Sequence, residues 1–264
     1  MVKCPGLDQL PAELFKLAGD GVLNSLLDVF NRVKRTKEIP EQWNLVKIIK
    51  LYKQKGSKKV LKFYRGIFLS IVVCKIFESL IKKRADEKLR NVNILQAGSR
   101  SKRSAADGVF LLRGAVDHHV FTKQSLYITA YDFETAFDSL WLEDCLLSLK
   151  DLGIEKDLLQ LIYNLNKEAS VVVQTPVGDT SPFITDPIVK QGSILGPVLC
   201  STSTAEYCTE NLGVTIGTLI LASLLYVDDI LDLSSTIGDC KAAHEKAILF
   251  AKLKKLKYSA TKCF

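Results

Sequence analysis

Apolar and polar residues recur along the chain with two periods, one typical of helices and one typical of strands, which predicts a mixed α+β fold. Helical spacing predicts helices over 10–30 with a break between Gly19 and Gly21, and over 71–88, 104–120, 137–150, 156–166, 197–210 and 239–257. Runs rich in β-branched and aromatic residues predict strands over 43–52, 125–132, 169–175, 218–226 and 230–233. The last two strands flank an acidic turn, so we expect a central antiparallel element.

The most apolar stretch, Val214–Val227, is too short to span a bilayer and leads directly into two aspartates. We therefore predict that it is a buried strand and not a membrane helix. The N-terminus carries Lys3, Pro5 and Gly6 where a signal peptide would have an apolar run. These features predict a protein with no membrane association and no visible targeting signal.

Charge, cysteine content and length narrow the class of protein further. The formal net charge of +7, from 36 basic and 29 acidic residues, suits a polyanionic partner such as a nucleic acid without requiring one. The seven cysteines are scattered and form no CxxC pair, which is typical of reduced thiols in an intracellular protein. A chain of 264 residues is long enough for one large domain or two modest domains.

Three aspartates are candidates for metal chemistry because they lie at the ends of apolar strands. Asp132 ends the strand predicted over 125–132, and Asp228 and Asp229 interrupt the last apolar run. Neighbouring acids in an apolar context are costly, and each raises the pKa of the other, unless a cation compensates them. Mg²⁺ binds carboxylate oxygens readily. Consecutive strand residues point to opposite faces, so the pair can share one site only in a turn; a solvated hairpin tip is the alternative.

Three ordered segments resemble the boxes of reverse transcriptases of the non-LTR retrotransposon type. The run DFETAFD at 132–138 resembles their first catalytic box. The run QGSILGP at 191–197 resembles the Q-G-x-x-L-S/G-P box that follows, and YVDD at 226–229 resembles the YxDD box. Further similar segments are PGLD at 5–8, IPEQW at 39–43, YRGI at 64–67 and QAGSR at 96–100, with a partial match in YSATK at 258–262.

The resemblance implies an α+β right-hand polymerase fold, in which a palm with an antiparallel sheet and helices on one face is joined to fingers. We expect residues 1–124 to form mainly the fingers, with the N-terminal helices, and 125–264 to form mainly the palm. A thumb and an endonuclease are expected to be absent from this chain. The family's setting implies an intracellular protein found in nucleus and cytoplasm.

The implied activity is RNA-directed DNA polymerisation by two-metal phosphoryl transfer, with an RNA template, a DNA primer and dNTPs as partners; protein partners are not indicated. The cofactor would be two Mg²⁺ ions, with Mn²⁺ as a substitute. By resemblance, Asp132, Asp228 and Asp229 are the catalytic metal ligands. The backbone carbonyl of Phe133 is a further candidate ligand.

The resemblance also assigns residues to the incoming nucleotide. Phe137 falls where the family places an aromatic ring under the sugar, which would exclude a 2′-hydroxyl; core packing is the alternative. Gln191 and Gly192 match residues that sense the nascent base pair, with glycine allowing close backbone approach. Lys262 would be the cation beside the leaving pyrophosphate.

Basic residues complete the expected substrate contacts. Arg65 and one of Lys53 and Lys55 match fingers positions that hold the triphosphate through charge-assisted hydrogen bonds. Arg100 and Arg103 are expected to contact the template backbone, and plain solvation is the alternative for both.

Three other readings stay open from the sequence. An inactive retrotransposon-derived fragment that only binds nucleic acid would carry the same aspartates. A group II intron maturase-like reverse transcriptase is close, although DFETAFD fits the retrotransposon form better. A viral RNA-dependent RNA polymerase is disfavoured, because it usually has a GDD turn and a polar residue near the sugar, where this chain has YVDD and Phe137.

Overall fold

The computed structural model describes residues 5–90, 92–93, 95–187, 189–207, 209 and 211–264. The chain forms two compact units, and each is built from two separate stretches of sequence. The first unit comprises the residues up to Arg84 together with Ile154–Gly196, and the second comprises Ala85–Gly153 and Pro197–Phe264. The assignment of fingers to 1–124 and palm to 125–264 stays a prediction.

Most helices lie close to the predicted ranges, although the helix predicted over 197–210 ends at Thr204, and residues 43–44 of the strand predicted over 43–52 are helical. They are α1 (Ala12–Lys16), α2 (Asp20–Thr36), α3 (Glu41–Asn44), α4 (Val72–Leu89), α5 (Ala105–Thr122), α6 (Ala136–Ser139), α7 (Leu142–Asp151), α8 (Lys156–Asn166), α9 (Gly196–Thr204) and α10 (Ile237–Leu253). The break at Gly19 is present, and Ser104 caps α5 in a capping box with Asp107. The helix predicted over 137–150 is wrong as one element, because Leu140 and Trp141 are extended and separate α6 from α7.

The strands are β1 (Leu45–Tyr52), β2 (Tyr64–Leu69), β3 (Tyr127–Tyr131), β4 (Ala169–Thr175), β5 (Gly178–Asp179), β6 (Phe183–Thr185), β7 (Val214–Ile216), β8 (Leu219–Leu221), β9 (Ser223–Tyr226) and β10 (Asp229–Ser234). The single buried strand predicted over 214–227 is corrected to β7, β8 and β9. The chain reverses at Gly217, whose φ of +61° suits glycine, so that β7 and β8 pair as a hairpin.

The first unit contains a five-stranded sheet with the order β2-β1-β4-β5, in which β6 also pairs with β4. Strands β1 and β2 form an antiparallel hairpin, whereas β1 and β4 run parallel. A core cluster of this sheet consists of Val46, Phe68, Ala169 and Val171. An aromatic cluster of Phe30, Trp43 and Phe77 joins α2, α3 and α4, with ring centroids 5.2–5.9 Å apart.

The second unit contains the predicted central antiparallel element, a three-stranded sheet with the order β3-β10-β9. Helix α10 packs against β10 and β3, and α5 packs against β9 and β7. The core beside α5 consists of Ala115, Val214, Leu221, Leu224 and Leu233. Within the described part of the chain, no helix combines the length and apolarity needed to cross a membrane.

Candidate active site

The acidic pair lies in the tight turn between β9 and β10. Strand β9 ends at Tyr226 and β10 begins at Asp229, and these two residues are paired across the hairpin. Val227 and Asp228 therefore form the tip of the turn. The turn resolves the geometric objection raised by consecutive strand residues, because only Asp229 belongs to a strand.

Asp132 lies beside Asp229 in the antiparallel pairing of β3 with β10. Ile230 pairs with Tyr131, so the next step of this register sets Asp229 opposite Asp132. Opposite residues of an antiparallel pair project from the same face. Both aspartates line one cavity of about 580 Å³, together with Tyr226 and Lys262.

The carboxylates influence one another electrostatically. Partial burial raises the pKa of Asp228, and the nearby Asp229 and Asp132 raise it further. Partial burial and Asp132 likewise raise the pKa of Asp229, while Lys262 acts in the opposite direction on both groups. This is the pattern of acids that share a site, and a cation there would relieve their repulsion.

Lys262 forms an ion pair with Asp132. Its Nζ donates to both carboxylate oxygens of Asp132, at 2.6 and 2.7 Å. The terminal segment is held alongside β3, because Ser259 N donates to Asp132 O at 2.8 Å and Ala130 N donates to Phe264 O at 2.8 Å. The partly matching segment YSATK thus brings its lysine to the aspartates.

Among the described residues, no group of three or more His, Cys, Asp or Glu side chains is arranged to hold a metal ion as it stands. The carboxylate of Asp132 is paired with the ammonium group of Lys262. The donor chemistry nevertheless fits a hard cation, because the site offers three carboxylates whose proximity carries an electrostatic cost.

The two phenylalanines of the first box lie in different settings. Phe133 is buried, and its ring stacks on Tyr258 with centroids 4.7 Å apart. Phe137 is partly buried on α6. It is not among the described residues that line the cavity holding Asp132 and Asp229.

Gln191 and Gly192 belong to the first unit, where they approach the backbone of β2. Gln191 O accepts a hydrogen bond of 2.8 Å from Phe68 N. Gly192 has a φ of +113°, and a Cβ at that position would lie 2.8 Å from Phe68 O. Glycine is therefore required here by backbone conformation and by close approach.

The predicted triphosphate contacts also belong to the first unit. Arg65 is exposed on β2, and Lys55 is exposed in the loop after β1. Lys53 Nζ instead donates to Lys62 O at 3.1 Å. Lys55 and Arg65 consequently keep their charges available to solvent.

Arg100 and Arg103, the predicted template contacts, differ in whether the side chain is bonded to backbone carbonyls. The guanidinium group of Arg100 donates to Asn93 O at 3.3 Å and to Arg90 O at 3.2 Å, which ties it to the backbone of its own unit. Desolvation and the neighbouring Arg103 lower the pKa of Arg100. Arg103 is exposed.

Two sets of buried polar residues escaped the sequence reasoning. Gln96 and Thr204 bond to the backbone of the acidic turn. Asp232, on β10, accepts from Tyr207 at 2.5 Å and from Ser223 at 2.7 Å. The available signals were the QAGSR segment for Gln96 and the single acid within the apolar run ILDLS for Asp232.

Comparison with known proteins gives the class of protein to which this fold and site belong. The family described as reverse transcriptase (RNA-dependent DNA polymerase) matches residues 53–264. The chain belongs to the reverse transcriptase family. Reverse transcriptases use divalent metal ions, in keeping with a carboxylate site.

The particular relatives are polymerases of insect non-LTR retrotransposons, which confirms the resemblance stated from the sequence. The chain is 25% identical over 218 residues to the probable RNA-directed DNA polymerase from transposon BS of Drosophila melanogaster, covering 79% of this chain and 23% of that protein. It is 27% identical over 233 residues to the RNA-directed DNA polymerase from mobile element jockey of Drosophila funebris, covering 86% and 25%. The chain thus spans about a quarter of the length of these relatives.

Solved telomerase structures share the fold, which confirms the predicted right-hand polymerase class. Apo telomerase from Candida tropicalis, truncated from its C-terminal domain, matches with a TM-score of 0.60 at 16% identity, covering 92% of this chain and 55% of that one. Telomerase from Candida albicans in complex with a TWJ fragment of telomeric RNA matches with a TM-score of 0.60 at 12% identity, covering 90% and 45%.

Proposed function

We propose that this chain is the catalytic part of an RNA-directed DNA polymerase, which adds dNTPs to a primer 3′-hydroxyl on an RNA template. One observation carries the proposal: Asp229, the last residue of YVDD, lines the same cavity as Asp132, in the region that matches the family. The raised pKa values of Asp228 and Asp229 support a shared cation site.

Asp132, Asp228 and Asp229 would hold two Mg²⁺ ions, or Mn²⁺ in their place, with the carbonyl of Phe133 as a further ligand. When bound, such ions activate the primer hydroxyl and neutralise the charge on the leaving phosphates. The chain's own part is mainly to position the reacting groups. Lys262 must leave Asp132 for a cation to bind there, and its ammonium group is then free to contact the phosphates of the nucleotide.

Other residues would select and hold the nucleotide. Phe137 would exclude the 2′-hydroxyl of a ribonucleotide, and Gln191 and Gly192 would contact the nascent pair. Arg65 and Lys55 would bind the triphosphate, with Lys53 as a weaker candidate because its Nζ is already bonded to Lys62 O.

The template contacts are expected from exposed basic residues. Arg103 is favoured over Arg100, because the guanidinium group of Arg100 is bonded to two backbone carbonyls. RNA as the template is supported by the family and by the RNA-directed relatives, and the DNA primer and dNTPs follow from the proposed reaction.

The direct test is Mg²⁺-dependent incorporation of dTTP on a poly(A)/oligo(dT) template. Asp228→Asn should abolish synthesis, while the matched Asp151→Asn, on the exposed end of α7, should retain it. Omission of the metal should have the same effect as Asp228→Asn. Equal synthesis by Asp228→Asn and the unaltered chain would refute the site.

One observation favours a second candidate, nucleic-acid binding without synthesis. Lys262 pairs with the carboxylate of Asp132 at 2.6 Å, at the position of a proposed metal ligand. Duplex binding with no incorporation at any Mg²⁺ or Mn²⁺ concentration would select this candidate.

A further inference from the structure

The tip of the acidic turn has a backbone conformation that its residue does not favour. Val227 has a φ of +59°, in the left-handed region. A β-branched side chain is a genuine outlier there, because its branches crowd the backbone. Such a conformation persists only when surrounding contacts determine it. The contacts around Val227 are therefore informative.

The side-chain amide of Gln96 bonds to both the N–H and the carbonyl group of Val227. Its Oε1 accepts from Val227 N at 3.0 Å, and its Nε2 donates to Val227 O at 3.2 Å. Gln96 is completely buried, so water does not substitute for these bonds. Its remaining amide capacity is used as well, since Oε1 accepts from Gly98 N at 2.8 Å and Nε2 donates to Thr204 Oγ1 at 3.0 Å.

Thr204 completes the arrangement from the end of α9. Its Oγ1 lies 2.5 Å from Val227 O, and the side chain is buried. The same hydroxyl lies 3.0 Å from Cys200 O within the helix. The Thr204 hydroxyl at the end of α9 and the Gln96 amide thus both donate to the carbonyl oxygen of Val227.

The segment that carries Gln96 is itself attached to β9. Leu225 N donates to Leu95 O at 3.0 Å, and Ala97 N donates to Leu225 O at 2.9 Å. Gly98 allows the close approach, because a Cβ there would lie 2.4 Å from Val227 N and 2.9 Å from Gln96 Oε1. The backbone of this segment therefore fixes Gln96 relative to the strand that leads into the turn.

We propose that Gln96 and Thr204 are positioning residues, which hold Val227 in the left-handed conformation and thereby set the direction of the Asp228 and Asp229 carboxylates. Their side chains contact the backbone of Val227 and would act on the carboxylates through it. We call the hydrogen bonds from Gln96 and Thr204 to Val227 the clamp. Its effect on synthesis rests on the proposed function, whereas the clamp itself is a property of the fold.

The test uses the full chain with Gln96→Met, which keeps the length of the side chain and removes all of its hydrogen bonds. The kcat of dTTP incorporation should fall on the order of 10- to 100-fold, with little change in KM, because misplaced catalytic groups lower the rate of the chemical step. Adding Val227→Asn should restore part of the lost kcat, since asparagine adopts the left-handed region more readily than valine. No recovery in the double variant would overturn the clamp.

A second pair of variants guards against a simple loss of folding. Thr204→Val should lower kcat, and Thr204→Ser, which keeps the hydroxyl, should retain it. The matched control is Thr209→Val, because Thr209 is equally buried in the same unit but bonds to Ser223 and not to the turn. An equal loss of kcat in Thr204→Val and Thr209→Val would contradict a positioning role.

Amide hydrogen exchange separates this inference from the polymerase proposal. The Val227 amide should be protected in the unaltered chain, and should exchange faster in Gln96→Met than in Thr209→Val. Protection that is lost in this way, in a chain that incorporates no dNTP, would support the clamp and refute the polymerase function. Unchanged exchange in Gln96→Met would refute the clamp even if the chain is an active polymerase.

Discussion

Lys262 donates to both carboxylate oxygens of Asp132, at 2.6 and 2.7 Å, across 130 residues of sequence. The pair is partly exposed, with 45% of the Lys262 side chain and 29% of the Asp132 side chain accessible. Partly exposed ion pairs are weak, so a divalent cation is able to displace this lysine. The ammonium group and the proposed metal therefore compete for the same oxygens.

The competition predicts that Lys262→Met binds divalent metal more tightly than the unaltered chain. An ion pair of this kind contributes up to about 1 kcal/mol, which corresponds to a roughly fivefold lower Kd for Mn²⁺. A titration of Mn²⁺ followed by electron paramagnetic resonance measures the change. The matched control is Lys257→Met, an exposed lysine of the same terminal segment, which should leave the Kd unchanged. Equal Mn²⁺ affinity in both variants would contradict competition at Asp132.

The glycine beside the acidic turn predicts opposite effects of one substitution at two sites. Gly98→Ala should lower the free energy of unfolding by about 1–3 kcal/mol, because the new Cβ would lie 2.4 Å from Val227 N. Gly114→Ala, on the exposed side of α5 with nothing within 4 Å, should raise it by about 0.5–1 kcal/mol. Urea unfolding of the two variants measures both values. A neutral Gly98→Ala would show that the turn has room to move.

The buried carboxyl of Asp232 predicts a pH dependence of stability. Burial raises the pKa of Asp232 to about 6, although Tyr207 and Ser223 donate hydrogen bonds to it. The folded state therefore binds a proton more tightly than the unfolded state. Stability from this group is greatest at low pH and falls as pH rises from about 4 to about 6, by up to roughly 3 kcal/mol.

Asp232→Asn should remove that component, so the variant should lose less stability than the unaltered chain between pH 4 and pH 6.5. Urea midpoints at the two pH values give the comparison, and the exposed Asp151→Asn serves as the control. Asp228 and Asp229 also have raised pKa values and act in the same direction, so some pH dependence should remain. A pH dependence identical in Asp232→Asn and the unaltered chain would contradict the assignment.

Local patterns in the sequence were sufficient for many elements of the fold. Alternation and β-branched content identified β4 over the predicted range, and helical spacing identified α8. The division of α6 from α7 was not predictable in this way, because it falls at Leu140–Trp141, without glycine or proline. The apolar run is divided into β7, β8 and β9 because β7 pairs with β8 and β9 pairs with β10. A continuous apolar pattern gives no sign of where these strands begin and end.

The candidate site was predictable where its residues are consecutive in the sequence. The YVDD and DFETAFD boxes named the aspartates, and the flanking strands predicted the turn. The supporting contacts join residues far apart in sequence, such as Gln96 with Val227, 131 residues away. No sequence pattern identifies a hydrogen-bond partner so far along the chain, so the bond is visible only in the folded structure.

Phe137 is expected to discriminate against ribonucleotides, a role that stays a prediction. Phe137→Ala should raise the efficiency of rNTP incorporation relative to dNTP on the order of 10- to 100-fold, because a steric block at the 2′-position is removed. The ratio of kcat/KM for UTP and dTTP on a poly(A) template measures it. Phe110→Ala, at an exposed position of α5, is the matched control and should leave the ratio unchanged. An unchanged ratio in Phe137→Ala would assign this ring to core packing.

We propose that the carboxylates bind metal and that the basic residues bind nucleic acid, so one substitution should abolish DNA synthesis without weakening duplex binding. Asp228→Ala should lose synthesis and keep its affinity for an RNA–DNA duplex, because phosphates are bound by lysine and arginine. Affinity should fall as salt rises, since each phosphate contact releases counterions. Fluorescence anisotropy measured between about 50 and about 200 mM salt gives the slope of the logarithm of the binding constant against the logarithm of the salt concentration. Arg103→Ala, which removes the proposed template contact, should reduce that slope by about 1, while Arg35→Ala, exposed on α2, should not. Loss of duplex binding in a folded Asp228→Ala variant would instead mean that the aspartates take part in gripping the nucleic acid.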